Sequence, residues 1–281
     1  MLWARVEGPA YWGCFVAVFL AVGVWESVQQ HSELSVRAER RWRNHGLILL
    51  IGSGLNTVLF RISPVAVAAM TSNNSHGVLN RSWPPFGARF VISILLLDLL
   101  QYWVHWSYHH VSLLWRIHEV HHSDPDFDVS TAARFHPVEV LWGQGVRLAA
   151  IALLAPPVAA VFATELLTLI LNLWTHANAR IPAPLDGLLR RVFITPDMHR
   201  IHHSREAAEQ QTNYGQTFSF WDRLFQTYRH TASQGEADFR TGLDQVAGCD
   251  TLNVAFMLGE PFRRKTREEQ QAAAGPLADL E

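Results

Sequence analysis

The sequence predicts an all-helical integral membrane bundle, with about four transmembrane helices or hairpins and a histidine-rich helical cap. Three observations carry this prediction. Hydrophobic residues make up 49% of the chain and charged residues only 17%, whereas about a quarter of an average soluble domain is charged. The hydrophobic residues are concentrated in long runs separated by polar loops. Eleven of the fifteen histidines lie between His105 and His203, mostly at spacings that match one helix face.

Composition and charge narrow the class of protein. The formal net charge is −2, which gives no sign of the basic surface that nucleic-acid binding needs, so we expect no nucleic-acid partner. The two cysteines, Cys14 and Cys249, are far apart and in unlike contexts. This predicts free thiols, and neither a disulfide framework nor a thiolate metal site.

Three apolar segments lie before or around the first histidine cluster. Residues 10–25 carry no charge and approach the minimum length of a spanning helix. Residues 47–70 contain Arg61 and Pro64, which predicts either one kinked helix or a helix followed by a break. Residues 90–106 form the third segment, after a loop rich in Asn, Gly and Pro.

A longer apolar stretch follows in residues 140–173. Pro156-Pro157 lies near its middle, and because prolines interrupt a helix we predict a helical hairpin that enters the membrane and returns. The chain is mostly polar from residue 177 onward. Residues 263–281 are charged and rich in Ala and Gln, which is typical of a solvated tail.

A group of arginines predicts the orientation in the membrane. Arg37, Arg40, Arg41 and Arg43 lie between the first two apolar segments, and the positive-inside rule places that loop in the cytoplasm. Successive crossings then bring every histidine cluster to the cytoplasmic side, as one histidine-rich cap.

Eight histidines recur in three short clusters with helical spacing. His105 and His109 are four residues apart and therefore share a helix face. In the two other clusters the first histidine shares a face with both later ones, while the adjacent pair diverges by about 100°. These triplets are His118, His121 and His122, and His199, His202 and His203. Eight imidazoles exceed what one tetrahedral or octahedral ion can take, which predicts two metal ions.

The ligand type alone does not select the metal, because imidazole binds iron, copper, nickel and zinc. A site at a membrane surface meets lipids that offer mainly C–H bonds, and breaking such bonds requires dioxygen and a redox-active metal. This favours two iron ions. Zinc could occupy the same ligands as a substitute without supporting turnover.

An acidic residue inside the third apolar segment is a candidate for orienting a ligand. Asp98 lies two helical turns before His105 on the same side, and a carboxylate in a membrane helix is costly and usually functional. We expect Asp98, or Tyr102, to accept the second N–H of a ligating imidazole. The alternative is that Asp98 snorkels to the interface or pairs with an arginine. His110 points away from the face of His105 and His109 and is expected to be a bystander.

Two other functions fit parts of the same pattern. The run from His118 and Glu119 to His122 also satisfies H-E-x-x-H, the zinc-protease motif in which the glutamate is the general base. That interpretation leaves His105, His109 and the whole second triplet without a role. A non-catalytic membrane protein that binds metal for stability or storage is the other alternative.

These residues resemble the fatty acid hydroxylase superfamily, also called the sterol desaturase family. Its histidine boxes have the forms H-x-x-x-H, H-x-x-H-H and H-x-x-H-H, which the three clusters match in order and spacing. The resemblance covers roughly residues 90–228. The flanking residues that also match are Asp98 with Tyr102-Trp103, Arg134 with His136-Pro137 and Glu139, Thr175-His176 with Asn178, Thr195-Pro196, Asn213-Tyr214-Gly215, and Trp221-Asp222-Arg223 with Phe225.

The resemblance implies a membrane-bound di-iron enzyme that uses dioxygen to hydroxylate or desaturate a lipid, such as a sterol, a fatty acyl chain or an alkylglycerol. The eight box histidines would be metal ligands and His176 a ninth. His136 would either be a ligand or brace the cap through hydrogen bonds. Electrons would come from a separate electron-transfer protein, such as a cytochrome or a ferredoxin. A pterin is used in the alkylglycerol monooxygenase branch, which the second half of this chain resembles most, but no segment of this sequence supports one.

The resemblance also divides the chain into three predicted parts. Residues 1–89 are N-terminal transmembrane helices and loops, residues 90–230 a catalytic domain like that of the superfamily, and residues 231–281 a polar C-terminal tail. The first part matches only in being apolar helices. It therefore does not identify the branch, or the lipid.

Overall fold

Helices make up the regular secondary structure in the part of the chain that the computed structural model describes, residues 2–72, 77–80, 84–235 and 238–263. The predicted all-helical class is confirmed, since the described residues hold only isolated β-bridges and no strand. The helices are α1 (Leu2–Val28), α2 (Ala38–Phe60), α3 (Pro64–Ser72), α4 (Phe86–His110), α5 (Ser112–His122), α6 (Pro137–Leu154), α7 (Val158–Thr175), α8 (Ala183–Leu189), α9 (Pro196–His202), α10 (Ala207–Gln210), α11 (Phe220–Leu224) and α12 (Val254–Gly259).

Among the described residues, five segments are long and apolar enough to cross a membrane. They are Val6–Val28, Ala38–Ser72, Phe86–His110, Pro137–Leu154 and Val158–Thr175. Large apolar side chains on these helices, such as Val24, Leu50 and Leu153, are exposed on the outside of the bundle, as a lipid-facing surface requires. The chain is therefore a multi-pass integral membrane protein. It has five candidate crossings, where the sequence predicted about four helices or hairpins.

The two predicted interruptions have simple backbone causes. Helix α2 ends at Phe60, Arg61 adopts a left-handed conformation with φ of 54°, and α3 begins at Pro64, so the second segment is a helix followed by a break. Helix α6 ends at Leu154, and Ala155 adopts the same left-handed conformation with φ of 47°. Pro157 then stands directly before α7, which confirms the helical hairpin.

The histidine-bearing ends of the helices come together at one end of the bundle. Helices α4 and α7 run towards this end and α6 runs away from it, since His105 and His109 close α4, His176 follows α7 and His136 precedes α6. Helix α5 packs against α4, and α9 packs against α7. Together with α8, α10, α11 and α12, helices α5 and α9 form the cap that the sequence predicts.

A buried ion-pair network fastens α2 to this cap. The Arg41 guanidinium donates to Asp124 at 2.6 and 2.8 Å and to Asp128 at 3.1 Å, and all three side chains are fully buried. Burial alone would raise the pKa of Asp124, but the adjacent Arg41 charge reverses this effect and holds the pKa well below its usual range. Removing one partner of such a network leaves uncompensated charge in the interior.

The segment after residue 238 is packed against the cap where the structure describes it. Met257 lies in a buried cluster with Ile48 and Val120, and the carbonyl of Thr251 accepts a hydrogen bond from Arg134. The predicted solvated tail from residue 264 onward lies outside the described residues. Cys14 and Cys249 are free thiols, as predicted.

Candidate metal centre

Nine buried histidines form two adjacent groups at the junction of the cap and the bundle. Within each group, one ligand atom from every residue lies within 4.8 Å of the others. The five-histidine group consists of His105, His109, His118, His122 and His202. The four-histidine group consists of His121, His176, His199 and His203. The structure thus brings together all eight box histidines and His176.

The adjacent histidines of each triplet divide between the two groups. His122 belongs to the five-histidine group and His121 to the other, and His202 and His203 divide in the same way. The divergence of about 100° between neighbours on a helix produces this division. The rings of His122 and His203, one from each group, stack with their centroids 4.4 Å apart. The two groups are therefore in direct contact.

Ring nitrogens in the four-histidine group face one another. The Nε2 atom of His176 lies 3.2 Å from that of His121 and 3.1 Å from that of His199, and the Nε2 atoms of His199 and His203 are 3.2 Å apart. Bonds of ~2.1 Å to one ion at roughly right angles give nitrogen separations of about 3 Å. The group therefore fits a single metal ion.

The five-histidine group contains buried nitrogens without a hydrogen-bond partner among the described residues. Both ring nitrogens of His109 and His122, and Nε2 of His118 and His202, are in this state. Buried polar atoms without partners are costly and uncommon in native proteins. A metal ion would satisfy one nitrogen of each ring, so this group also fits a metal.

Burial keeps the cap histidines neutral, which is the form that binds metals. Burial, followed by neighbouring histidines, holds the pKa of His118, His121, His122, His199 and His203 well below the ordinary value. Burial lowers the pKa of His176 to about 4. Imidazoles in this state keep a free lone pair at neutral pH.

Hydrogen bonds from neighbouring carboxylate and carbonyl groups orient four of the rings. The Nδ1 atom of His118 lies 2.6 Å from the Glu139 carboxylate. Backbone carbonyls of Tyr214, Asn172 and Thr212 lie 2.7–2.8 Å from Nδ1 of His105, His176 and His202, respectively. Such partners fix ring orientation and leave Nε2 for the metal. Glu139 is the carboxylate partner that sequence reasoning sought elsewhere, and its only sequence signal was the R-x-H-P-x-E flank.

Asp98 and Tyr102 do not reach a histidine ring. The Asp98 carboxylate accepts a hydrogen bond from the indole of Trp221 at 2.9 Å, and the Tyr102 hydroxyl lies 2.8 Å from the Thr227 hydroxyl. This corrects the expected contact with a ligand. Asp98 and His105 are seven positions apart, which separates them by about 10 Å along the helix axis. This distance is beyond the reach of a hydrogen bond.

These two residues and Asp222 instead hold the loop that carries the Tyr214 carbonyl. The Asp222 carboxylate accepts hydrogen bonds from the backbone N–H groups of Tyr214 at 2.8 Å and Gly215 at 3.0 Å. A Cβ on Gly215 would lie 2.8 Å from the Asp222 carboxylate, which explains the glycine. The matched N-Y-G and W-D-R segments thus form one support behind His105, a role that the sequence analysis missed.

His136 and His110 lie outside both groups. The His136 ring caps α6 by accepting from the N–H of Val138 at 3.1 Å, and its Nε2 lies 3.4 Å from the Leu258 carbonyl. These contacts support bracing, the second of the two roles left open for His136. The His110 ring stacks on Trp106, consistent with a bystander.

A cavity of about 680 Å³ extends from the histidines into the membrane bundle. His105, His118, His121, His176 and His199 line its upper end, and it continues between α1, α2, α4, α6 and α7. Cavities of this size accommodate organic ligands. A hydrophobic molecule in the bilayer could thus meet both histidine groups from one side.

The membrane bundle and the paired histidine groups define an integral membrane protein that is able to hold two neighbouring metal ions. Comparison with known proteins agrees with the resemblance seen in the sequence. Residues 90–227 match the family model described as fatty acid hydroxylase. These residues form a domain of the fatty acid hydroxylase, or sterol desaturase, superfamily.

The similar proteins act on several kinds of lipid, according to their names. The ornithine lipid hydroxylase of Rhizobium tropici is 29% identical over 80% of this chain and 66% of its own length. The alkylglycerol monooxygenase of Danio rerio is 33% identical over 49% of this chain and 30% of its own length. The methylsterol monooxygenase 2-2 of Arabidopsis thaliana is 26% identical over 64% of this chain and 66% of its own length. This chain thus spans less than two thirds of each relative. No solved structure matches it.

Proposed function

We propose that this protein is a di-iron enzyme that uses dioxygen to hydroxylate or desaturate a membrane lipid. The observation that carries the proposal is the cavity that joins both histidine groups to the interior of the membrane bundle. The family and the names of its relatives support the same class of reaction.

Bound iron would supply the reduction of dioxygen and the chemistry needed to attack an unactivated C–H bond. We assign the nine histidines of the two groups as its ligands. Glu139 holds the His118 ring in place, and the Asp222 loop holds the Tyr214 carbonyl behind His105. The surrounding helices exclude bulk water and hold the lipid beside the rings.

Electrons must come from a separate donor protein, for which we propose a cytochrome or a ferredoxin. We place the cap and the donor on the cytoplasmic side, because Arg37, Arg40, Arg41 and Arg43 lie at the start of α2, at the cap end of the bundle. A pterin is not part of the proposal.

The zinc-protease alternative uses only part of this arrangement. His118 and His122 fall in a group with three further histidines, whereas catalytic zinc sites use three protein ligands and keep a position open. A storage protein would explain both groups but not the cavity beneath them. Neither alternative accounts for the family match.

The test is metal analysis combined with oxygen-dependent lipid turnover in the purified full-length protein. We expect about two iron ions per chain, and a lipid product with one added oxygen or two fewer hydrogens. One tightly bound zinc ion, with peptide cleavage that Glu119→Gln abolishes, would show a protease. Metal without any oxygen-dependent change in a lipid would show storage.

A further inference from the structure

Two oppositely charged side chains meet inside the membrane bundle, on the wall of the cavity. Arg147 of α6 and Glu165 of α7 line it, and Nη1 of Arg147 lies 3.2 and 3.0 Å from the two carboxylate oxygens of Glu165. Charged residues within membrane helices are rare and mark binding sites or transport pathways more often than they serve as supports.

The pair lies about two helical turns along α6 from Glu139, which contacts the five-histidine group. Glu139, Gly143 and Arg147 are four residues apart and line the same cavity from α6, and Glu139 is the partner of His118. Eight residues separate the Cα atoms of Glu139 and Arg147 by about 12 Å. Helical side chains point towards the N-terminus, so the Arg147 guanidinium extends back towards the histidines.

A further carboxylate adds to the charge at this depth. Glu7 of α1 lines the same cavity as Glu165, and its carboxylate accepts a hydrogen bond from the Ser63 hydroxyl. Among the described residues, Arg147 contacts Glu165 through Nη1 alone. Its other guanidinium nitrogens can therefore donate to another acceptor. The site therefore offers donors for one anion beside two carboxylates for one cation.

A purely structural tether between α6 and α7 explains these features less well. Well-packed apolar residues join helices without the desolvation cost of a buried ion pair. The side chains of Arg147 and Glu165 are also 29% and 12% exposed, and both line the cavity. An uncharged lipid would offer no anionic acceptor to the Arg147 nitrogens that Glu165 does not use.

We propose that Arg147, Glu165 and Glu7 bind the zwitterionic head group of the lipid substrate. The anionic group of the lipid binds Arg147, and its ammonium group lies between Glu165 and Glu7. The anionic group is either a carboxylate, as in an amino-acid lipid, or a phosphate, as in phosphatidylethanolamine. This inference rests on the proposed function for the identity of the site, but binding can be measured without turnover.

The test is equilibrium binding of radiolabelled lipids to the full-length, detergent-purified protein. The probes are an amino-acid lipid with free ammonium and carboxylate groups, its methyl ester, phosphatidylethanolamine and a neutral alkylglycerol. We expect one of the two zwitterions to bind at least about tenfold more tightly than the alkylglycerol, since hydrogen bonds to charged groups are worth that much. If the preferred lipid is the amino-acid lipid, its methyl ester should lose the preference.

The double variant Arg147→Met/Glu165→Leu should lose the preference for the zwitterion and bind the alkylglycerol as the wild type does. Arg40→Met, which removes an exposed pair with Asp250, is the matched control and should leave both affinities unchanged. If the double variant does not fold, judged by circular dichroism, Glu165→Gln and Arg147→Lys replace it. An unaltered preference in a folded variant, or equal binding of charged and neutral lipids by the wild type, would overturn the inference. A protein that shows the preference but no oxygenation would refute the proposed function alone.

Discussion

The five-histidine and four-histidine groups draw on the same two triplets, yet their rings have different supports. In the five-histidine group, His118 has a carboxylate partner, Glu139, and His105 and His202 have backbone carbonyl partners. In the four-histidine group, the carbonyl of Asn172 beside His176 is the one such partner recorded among the described residues. A carboxylate increases the basicity of an imidazole ligand. We therefore expect the five-histidine group to hold its ion more tightly.

The two groups also depend on different parts of the molecule. His105 and His109 of the five-histidine group lie on α4, a membrane-spanning helix. The four-histidine group packs instead against Phe127, whose ring centroid is 5.5 Å from that of His176 and 5.2 Å from that of His203. Phe127 lies in the loop that Arg41 holds. Both groups thus depend on the end of a membrane helix, since His176 follows α7, but the four-histidine group depends on a buried ion-pair network as well.

The largest expected effect comes from separating the two groups by mutation. His121→Ala and His122→Ala each remove a ligand from a different group, so each should reduce the iron content from about two to about one per chain and lower turnover at least ~100-fold. Iron analysis with a spectroscopic signature of the remaining ion checks this. His110→Ala, whose ring lies outside both groups, is the control. Identical spectra for the first two variants would contradict the division into two groups.

The second largest effect concerns the buried ion-pair network that supports the four-histidine group. Arg41→Met leaves Asp124 and Asp128 buried without their cation, and we expect a loss of about 3–5 kcal/mol in stability. The four-histidine group should lose its metal first. Thermal unfolding and iron content in detergent measure both. Arg40→Met, in an exposed ion pair, should cost under ~1 kcal/mol. Preferential loss from the five-histidine group would refute the dependence on the Phe127 loop.

A smaller effect tests the carboxylate partner itself. Glu139→Gln keeps the shape of the side chain but removes its charge, so the affinity of the five-histidine group for iron should fall ~10–100-fold, with the other ion unaffected. Chelator competition measures each affinity. Glu39→Gln, at an exposed position in α2, serves as the matched control. Equal weakening of both ions would show that Glu139 acts on the whole cap.

The smallest effect is a pH dependence that both groups share. Burial lowers the pKa of His176 to about 4 and holds that of His122 well below the ordinary value of ~6.5. A folded-state pKa below the unfolded one means that stability is fully present above pH ~6.5 and is lost as the pH falls towards 4. Thermal unfolding of the metal-free protein at a series of pH values should show this decline, and bound iron should reduce it. A flat profile would mean that the rings are not desolvated.

The sequence predicted much of this architecture because the relevant signals are local. Apolar runs and prolines define the spanning helices and their breaks, since each depends on a few neighbouring residues. Helical spacing likewise placed His105 beside His109, and it predicted that the adjacent histidines of each triplet diverge. The predicted domain boundaries stay a prediction. The segment after residue 238 is polar in sequence but packs on the cap through residues such as Met257.

Tertiary structure decided the partners of the ligands and the shape of the cavity. Asp98 is spaced like a support for His105 but binds Trp221, while Glu139 comes from another helix to hold His118. Arg147 and Glu165 are 18 residues apart and meet only because α6 and α7 form a hairpin. The sequence by itself thus determined the helices and the ligand type, both of which follow from short-range periodicity. The assignment of each ring to a group, its orienting partner and the charges facing the lipid depend on contacts between distant segments, and these form only when the helices pack.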